Sequence, residues 1–264
     1  MRSGIPRSHL AGAVVASVAA GAALAGWAVG GGTTGAAHGR PADAATPPAK
    51  SVRLKDARLK FEINSTDRDG GVQVFIDADS WKEMTILDPA GRRIFRSTTS
   101  GRMGKQGGTE LFLESAEPPF RTLPMPKLLA RFPEGRYAFR GVGLRGERYV
   151  GSARLTHRLP DGPELVSPLA GDPPQDPAAT TVVWKAVAPP TGSRIIAYQV
   201  LVVRAEPGLR ALPEVALDVM MPPSATSLRV PPGFLQPATE YDWEVLAIER
   251  GGNQTVSSDM FRTA

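Results

Sequence analysis

Residues 235–249, which read LQPATEYDWEVLAIE, constrain the fold of this chain more than any other segment. Tyr241, Trp243 and Val245 are apolar and alternate with the acidic residues Asp242 and Glu244. An alternation with a period of two is typical of a β-strand that buries one face and exposes the other. The segment therefore predicts a strand in a sheet that packs one face onto a core.

The residues that precede this strand form a second pattern. Leu235, Pro237, Thr239 and Tyr241 read Leu-x-Pro-x-Thr-x-Tyr, which resembles the sequence where a fibronectin type III domain enters its sixth strand. The resemblance implies that the Tyr241 hydroxyl bonds to nearby backbone and fixes a corner of a β-sandwich. It covers about the last hundred residues and implies a fold but no ligand, since such sandwiches host many unrelated activities. The other strands that it implies are the second at 182–184 with Trp184 as the core indole, the third at 196–203, the fifth at 227–230 and the last at 258–263.

The N-terminal half has the same character. Short apolar segments recur roughly every ten residues with turn signals between them, which is typical of β-sandwiches. Residues 88–91, Asp-Pro-Ala-Gly, have proline at the second position of a turn, and residues 126–131 begin with a proline that favours a short helix. Residues 133–139 and 149–153 resemble the last hairpin of an immunoglobulin-like sandwich. The remaining predicted strands are 59–63, 72–76, 84–87 and 93–95.

The predicted fold class is therefore all-β, with two tandem β-sandwich domains after an N-terminal signal or anchor helix and a disordered tether. An immunoglobulin-like sandwich is expected at 51–159 and a fibronectin type III domain at 163–264. Residues 159–163 read LPDGP, and two prolines and a glycine within five residues end any strand. We expect this segment to be an exposed linker that few contacts cross.

The first fifty residues predict export. Arg2 and Arg7 precede an uncharged apolar run at 11–29, so residues 1–30 are predicted to be a signal peptide or membrane anchor. The run is rich in Ala and Gly and barely reaches the ~20 residues that a spanning helix needs, which favours a cleaved leader over a stable anchor. Residues 31–50 are small, polar and proline-containing, as in a disordered tether. The expected location is secreted, periplasmic or cell-surface associated.

Charge differs between the two predicted domains. Residues 50–158 hold 21 Lys and Arg against 13 Asp and Glu, whereas residues 163–264 hold 7 against 11. A basic domain could contact anionic envelope polymers, although two solvated surfaces of different sign would give the same counts. Aromatic residues make up 6% of the chain, and nucleic-acid binding needs aromatics interleaved with basic residues, so no nucleic-acid partner is expected.

Several chemistries have little support. The chain has no cysteine, which excludes disulfides, thiolate nucleophiles and Cys-ligated metals. His157 is the one histidine inside a predicted domain and stands at its boundary, where a packing or surface role is favoured over a Ser-His-Asp triad. Residues 101–108, GRMGKQGG, predict a mobile basic loop, because Lys105 lacks the following Ser or Thr of a phosphate-binding loop.

Two acidic turns are the best candidates for a cation site in the sequence. Asn64, Asp67 and Asp69 precede one predicted strand, and Asp77 and Asp79 follow it. Calcium favours several oxygen ligands in such turns. However, an arginine and a glycine interrupt the Asp-x-Asp-x-Asp-Gly pattern, and the strand separates the two groups by roughly 17 Å. Ordinary turns are favoured, and no metal, cofactor or catalytic residue is predicted.

Two functions remain open from the sequence. The first is a non-enzymatic exported module, with a binding or structural role at the cell envelope, whose sandwich surfaces face a protein or an anionic envelope polysaccharide. The alternative is an envelope carbohydrate-active enzyme that uses carboxylates of the basic N-terminal domain. A deep cleft with at least two convergent acids of perturbed pKa would favour the enzyme.

Overall fold

The structure, a computed structural model, describes residues 51–205 and 216–264, most of which lie in β-strands. The predicted all-β fold class is confirmed. The predicted signal segment 1–30 and tether 31–50 lie outside the described residues. Within the described ranges, no helix is long and apolar enough to span a membrane. The elements are β1 Ser51–Arg53, β2 Asp56–Asn64, β3 Asp69–Leu87, β4 Arg93–Thr98, α1 Gly101–Gln106, β5 Gly108–Glu114, α2 Met125–Arg131, β6 Gly135–Gly143, β7 Arg148–Leu155, β8 Leu165–Ser167, β9 Thr181–Trp184, β10 Ile195–Arg204, β11 Ala216–Met221, β12 Ser227–Arg229, β13 Glu240–Glu249 and β14 Gln254–Arg262.

The C-terminal half folds as two sheets around one core. Three strands form a sheet in the order β12-β9-β8, and four neighbouring strands follow the order β11-β10-β13-β14. The inner faces enclose a hydrophobic cluster that includes Trp184 and Trp243, which are 1% and 0% exposed. Three strands packed on four is the arrangement of a fibronectin type III sandwich, so the resemblance carried by the Leu-x-Pro-x-Thr-x-Tyr pattern is confirmed.

In the N-terminal half, one long strand belongs to both sheets. The pairing of β3 is irregular between Asp77 and Trp81, and such irregularities bend a strand. The part of β3 before the bend pairs with β2 and β5, and the part after it pairs with β4 and β6. The result is a sandwich of β2-β3-β5 against β4-β3-β6-β7-β1, whose core includes Phe61, Met84 and Phe139. The predicted turn at Asp77 and Asp79 is therefore wrong, because β3 continues through both residues.

A buried tyrosine fixes the start of one strand in each half. Tyr241 at the start of β13 is buried, and its hydroxyl accepts a hydrogen bond from the Gln236 backbone N–H at 2.8 Å, as the sequence predicts. Tyr137 in β6 is fully buried and donates its hydroxyl proton to the Pro133 carbonyl at 3.0 Å. Each tyrosine follows a proline by four residues, Pro237 in one half and Pro133 in the other. Both halves therefore contain a tyrosine corner, the feature that closes sandwiches of this kind.

The two sandwiches are joined edge to edge, because β14 pairs in parallel with β2. Asn253, in the turn between β13 and β14, reinforces this junction. Its Oδ1 accepts a hydrogen bond from the Phe61 N–H at 2.9 Å, and its Nδ2 donates to the carbonyl oxygens of Thr156 at 2.9 Å and Arg158 at 3.1 Å. Strands from both halves thus form one continuous sheet.

The expectation of an exposed linker at 159–163 is wrong. Both prolines of the segment are buried, and the Thr255 hydroxyl donates to the Pro160 carbonyl at 2.7 Å. Gly162 lies so close to Ser65 that a Cβ atom there would overlap the serine side chain. The prolines do end strand pairing, but the β2–β14 junction packs the segment between the halves. Each half keeps its own hydrophobic cluster, and the division into domains 51–159 and 163–264 stays a prediction.

Secondary structure in three further segments can be compared with the prediction. Helix α2 over Met125–Arg131 confirms the predicted helix. The loop predicted at 101–108 is wrong in its first six residues, because Gly101–Gln106 form α1, which is followed by Gly107 with a φ of 80°. Strand β14 begins at Gln254, four residues before its predicted start at 258, because its first residues pair with β2 as well as with β13.

Candidate functional site

The outer surface of the sheet β4-β3-β6-β7-β1 carries seven exposed arginines, and we call it the arginine face. Met84, Phe139 and Tyr149 on these strands are buried in the core, so the residues that alternate with them point outward. Arg93 joins this face because a register shift in the β3–β4 pair sets it opposite Leu87, which follows the buried Ile86. The arginines are Arg53 on β1, Arg93 and Arg96 on β4, Arg136 and Arg140 on β6, and Arg148 and Arg154 on β7.

Strand register brings these arginines together. Arg136 stands directly opposite Arg154 in the β6–β7 pair. Arg140 stands opposite Val150, whose partner on the other side is Arg53. Residues directly opposite have Cβ atoms about 4.5–5.5 Å apart, and like charges at that distance destabilise a sheet. The arginine face therefore holds positive charges together at a cost in folding free energy.

Few of these charges are balanced by the protein itself. Arg96 forms an ion pair with Glu83 at 2.7 Å, and Glu83 is the single acidic residue among the outward positions of these strands. The guanidinium groups of the other six arginines form no ion pair or hydrogen bond within residues 51–205 and 216–264. Their guanidinium groups remain available to an anionic partner.

A recess of about 320 Å³ lies within the arginine face. Arg93 and Arg140 flank β3 from its two sides at this point, and Thr85 and Leu87 also line the recess. Glu83, which forms the ion pair with Arg96, is the acidic residue that lines it. The volume lies at the lower end of the range typical of small-ligand pockets. The recess has the volume to hold a group about the size of a sugar ring.

A group of three carboxylates, which we call the acidic cluster, lies on the other sheet near the β2–β14 junction. Oxygen atoms of Glu62, Glu114 and Glu117 lie within 4.8 Å of one another. Gln73 Nε2 donates a hydrogen bond to Glu114 at 2.9 Å, and Gln254 Nε2 donates one to Glu62. A single cation could contact all three oxygens. However, Glu62 and Glu114 each accept a hydrogen bond from a glutamine side chain, which is also typical of carboxylates with a structural role. The expectation of no metal site stays a prediction.

The surroundings of the acidic cluster favour protonated carboxyl groups. Burial, reinforced by the charges of Glu62 and Glu114, raises the pKa of Glu117 to about 8. Burial also raises the pKa of Glu62, against the opposing hydrogen bond from Gln254. Across β14, burial and the charge of Glu62 raise the pKa of Glu244 to about 7. Perturbed carboxyl groups of this kind occur at catalytic sites and also in structural networks.

A cavity of about 410 Å³ opens beside the acidic cluster. Glu117 lines this cavity together with Leu123 and Phe132, whereas Glu62 and Glu114 are not among its lining residues. A glycoside hydrolase normally places two carboxyl groups on either side of the bond to be cleaved. The carboxyl group of Glu117 is the one that this cavity presents to a bound molecule.

The acidic turn considered for calcium is closed by its own hydrogen bonds. Asn64 Oδ1 accepts from the backbone N–H groups of Thr66 and Asp67, each at 3.0 Å, and Asn64 Nδ2 donates to the Asp67 carboxylate at 2.9 Å. Asp69 is buried at the start of β3. The Asn64 amide and the Asp67 carboxylate therefore take part in hydrogen bonds of the turn itself.

The other predicted candidates also have structural contacts. Asp77 and Asp79 lie further along β3, where Lys55 Nζ approaches their carboxylates at 3.9 and 2.9 Å. His157 Nε2 lies 2.9 Å from the Phe132 carbonyl oxygen, and its ring packs edge-on against Phe61. These contacts are typical of packing residues.

The number of basic residues was evident from the sequence, whereas their common face was not predicted. The arginines at 136 and 140 and those at 148 and 154 are separated by even numbers of residues within their strands. Even spacing places side chains on one face of a strand, and this signal was sufficient to find them. The acidic cluster gave no comparable signal, because its members come from β2, β5 and the loop after β5, far apart in sequence.

No protein-family model and no curated protein matches the chain. Among solved structures, the fibronectin(III)-like modules of Clostridium thermocellum CbhA are 10% identical to it; the match covers 80% of this chain and 94% of that chain, with a TM-score of 0.32. The chicken CNTN1 FN1-FN3 domains are 13% identical, with 81% of this chain and 65% of that chain covered and a TM-score of 0.30. Superpositions at these scores transfer no function. The fold assignment rests on the strand order and the two tyrosine corners.

Proposed function

We propose that this chain is a non-enzymatic binding or structural module that is exported to the cell envelope and presents its β-sandwich surfaces to a protein or polysaccharide. The observation that carries this proposal is the arginine face, where six exposed arginines have no partner within residues 51–205 and 216–264. They stand on paired strands, and regular elements hold binding residues in place better than loops do. An anionic partner is the natural complement of such a surface.

The proposed location rests on the N-terminal sequence. Arg2 and Arg7 followed by the apolar run 11–29 favour a signal peptide or an N-terminal membrane anchor. Export would leave the protein secreted, periplasmic or on the cell surface, where anionic polymers are abundant.

Fractionation and co-sedimentation test this function. We expect the full-length chain in the exported fraction and bound to purified cell envelopes at low salt. Binding should weaken steeply above physiological salt, because the screening length there is already about 8 Å. A chain found only in the cytosol, or envelope binding that is indifferent to salt, would contradict the proposal.

The raised pKa values in the acidic cluster favour one second candidate, an envelope carbohydrate-active enzyme that uses Glu117 as its acid. Hydrolysis of envelope polysaccharides by the full-length chain, with Glu117→Gln as the variant and Glu110→Gln as the exposed control on β5, tests this candidate. We expect no difference between the two variants. Hydrolysis that Glu117→Gln abolishes and Glu110→Gln preserves would establish the enzyme instead.

A further inference from the structure

The arginine face has the charge and the donor groups of a site for a linear polyanion. We propose that it binds a linear polysaccharide with a carboxylate on its sugar units, and that one sugar occupies the recess between Arg93 and Arg140. This inference rests on the proposed function of a binding module and adds the class of partner and the surface that holds it.

The dimensions of the arginine face favour a polymer over a small anion. Its five strands are about 4.8 Å apart, so the face is about 19 Å wide. Arg148 and Arg154 are six residues apart on β7, which corresponds to about 20 Å along the strand. A single carboxylate could contact one or two of these arginines, whereas a chain with repeated carboxylates could contact most of them at once.

The residue type favours an oxyanion such as a carboxylate. The seven arginines carry planar guanidinium groups, each of which matches a carboxylate or a phosphate with two parallel hydrogen bonds. The opposed pair Arg136 and Arg154 repel each other in the free protein. A carboxylate between them removes that repulsion, and this relief makes the free energy of binding more favourable.

The shape and composition of the face favour a polysaccharide over a membrane or a nucleic acid. The recess can take a sugar ring, whereas a flat lipid surface would leave it empty. Val150 and Ile94 are the exposed large apolar residues on the face, at 40% and 38% exposure, which gives little area for insertion into lipid. None of the outward residues on these five strands is aromatic, so no platform for stacked bases is present on the face.

Direct binding of the full-length chain to defined probes tests the inference. Polygalacturonate supplies the carboxylate polymer, dextran the neutral polymer, polyphosphate the phosphate polymer, and phosphatidylglycerol vesicles the anionic lipid surface. We expect saturable, salt-sensitive binding to polygalacturonate by titration calorimetry, no binding to dextran, and weaker binding to polyphosphate and to the vesicles.

A pair of matched double variants locates the site. Arg136→Glu with Arg140→Glu changes two residues of the arginine face, and Arg121→Glu with Arg131→Glu makes the same change of net charge at exposed residues outside it. We expect the first variant to lose about tenfold in affinity for each arginine and the second to lose little.

Stability does not confound this comparison. The single variant Arg136→Glu places a carboxylate opposite Arg154, so its thermal unfolding should occur at an equal or higher temperature while its affinity falls. If the double variant nevertheless fails to fold, Arg140→Ser at the recess is the second variant, with the same expected direction.

The remaining outcomes separate this inference from the function on which it rests. Equal loss in both double variants, or equal or tighter binding to polyphosphate or to vesicles, would overturn the polysaccharide site. Salt-sensitive binding to envelopes without binding to polygalacturonate would overturn the inference and leave the proposed function standing. Absence of binding to every probe and to envelopes would overturn both.

Discussion

The side-chain amide of Asn253 belongs to one sandwich and bonds to the backbone of Phe61 in the other. Asn253 Oδ1 accepts the Phe61 N–H at 2.9 Å, and Asn253 itself is 1% exposed. Its Nδ2 meets the carbonyl oxygens of Thr156 and Arg158 from the segment that leads out of β7. One buried side chain therefore satisfies backbone groups of β2 and of the connection between the two halves.

Asn253→Ala is expected to lower the free energy of unfolding by about 2–4 kcal/mol. The substitution leaves the Phe61 N–H and at least one carbonyl oxygen buried without a partner, and each such group costs about 1–3 kcal/mol. Urea unfolding measures the loss. Asn64→Ala is the matched control, because that amide closes an exposed turn and should cost about 1 kcal/mol or less. Equal losses in the two variants would show that the junction contributes little.

The connection at 159–163 should resist proteases for as long as the protein is folded. Thr255 bonds to the Pro160 carbonyl, and Gly162 is pressed against Ser65, so the segment cannot enter a protease site without opening of the β2–β14 junction. Limited proteolysis followed by mass spectrometry checks this. Early release of a stable fragment that begins near Pro163 would show that the two halves are independent domains with a weak junction.

The two tyrosine corners should contribute independently to stability. Tyr137→Phe and Tyr241→Phe each remove one hydroxyl and its backbone hydrogen bond, and each should cost about 1 kcal/mol. The residues lie in separate hydrophobic clusters, so the costs should add in the double variant. Burial raises the pKa of Tyr137 to about 12, which keeps its hydroxyl protonated as a donor up to strongly alkaline pH. No change in stability for Tyr137→Phe would contradict the assignment of a corner in the N-terminal half.

The sequence predicted the elements that depend on local pattern. The alternation of apolar and acidic residues predicted β13. The Leu-x-Pro-x-Thr-x-Tyr spacing predicted the corner at Tyr241, and the proline near its start predicted α2. Each of these patterns lies within about ten residues of the element that it predicts. Strand alternation, turns and helix starts depend on residues that are neighbours in the sequence.

The sequence could not predict features that depend on residues far apart. The β2–β14 pair joins residues about 190 positions apart, and nothing in either strand encodes the other as its partner. The same holds for the acidic cluster, in which Glu62 meets Glu117 only after both sheets have formed. The arginine face could be predicted only in part. The even spacing of arginines within β6 and β7 is visible in the sequence, but the positions of β1 and β4 in the same sheet are not.

The fold should become less stable as pH rises, because Glu117 and Glu244 lose protons that favour the folded state. Their pKa values in the folded protein, about 8 and about 7, are above the ordinary value of 4.5. Between pH 4.5 and 8 the folded state therefore holds protons that the unfolded chain releases. Their contribution to stability is fully present below pH 4.5 and is lost as pH rises through about 7 for Glu244 and about 8 for Glu117.

Urea unfolding between pH 5 and 9 measures this dependence. Glu117→Gln cannot ionise, so its stability should fall less across that range than the wild-type value does, and at pH 9 the variant should be the more stable protein. Glu110→Gln, on the exposed face of the same strand that leads to Glu117, is the control and should follow the wild type. If Glu117→Gln keeps the full wild-type pH dependence, Glu117 is ionised in the folded protein at neutral pH and the acidic cluster is not the source of the effect.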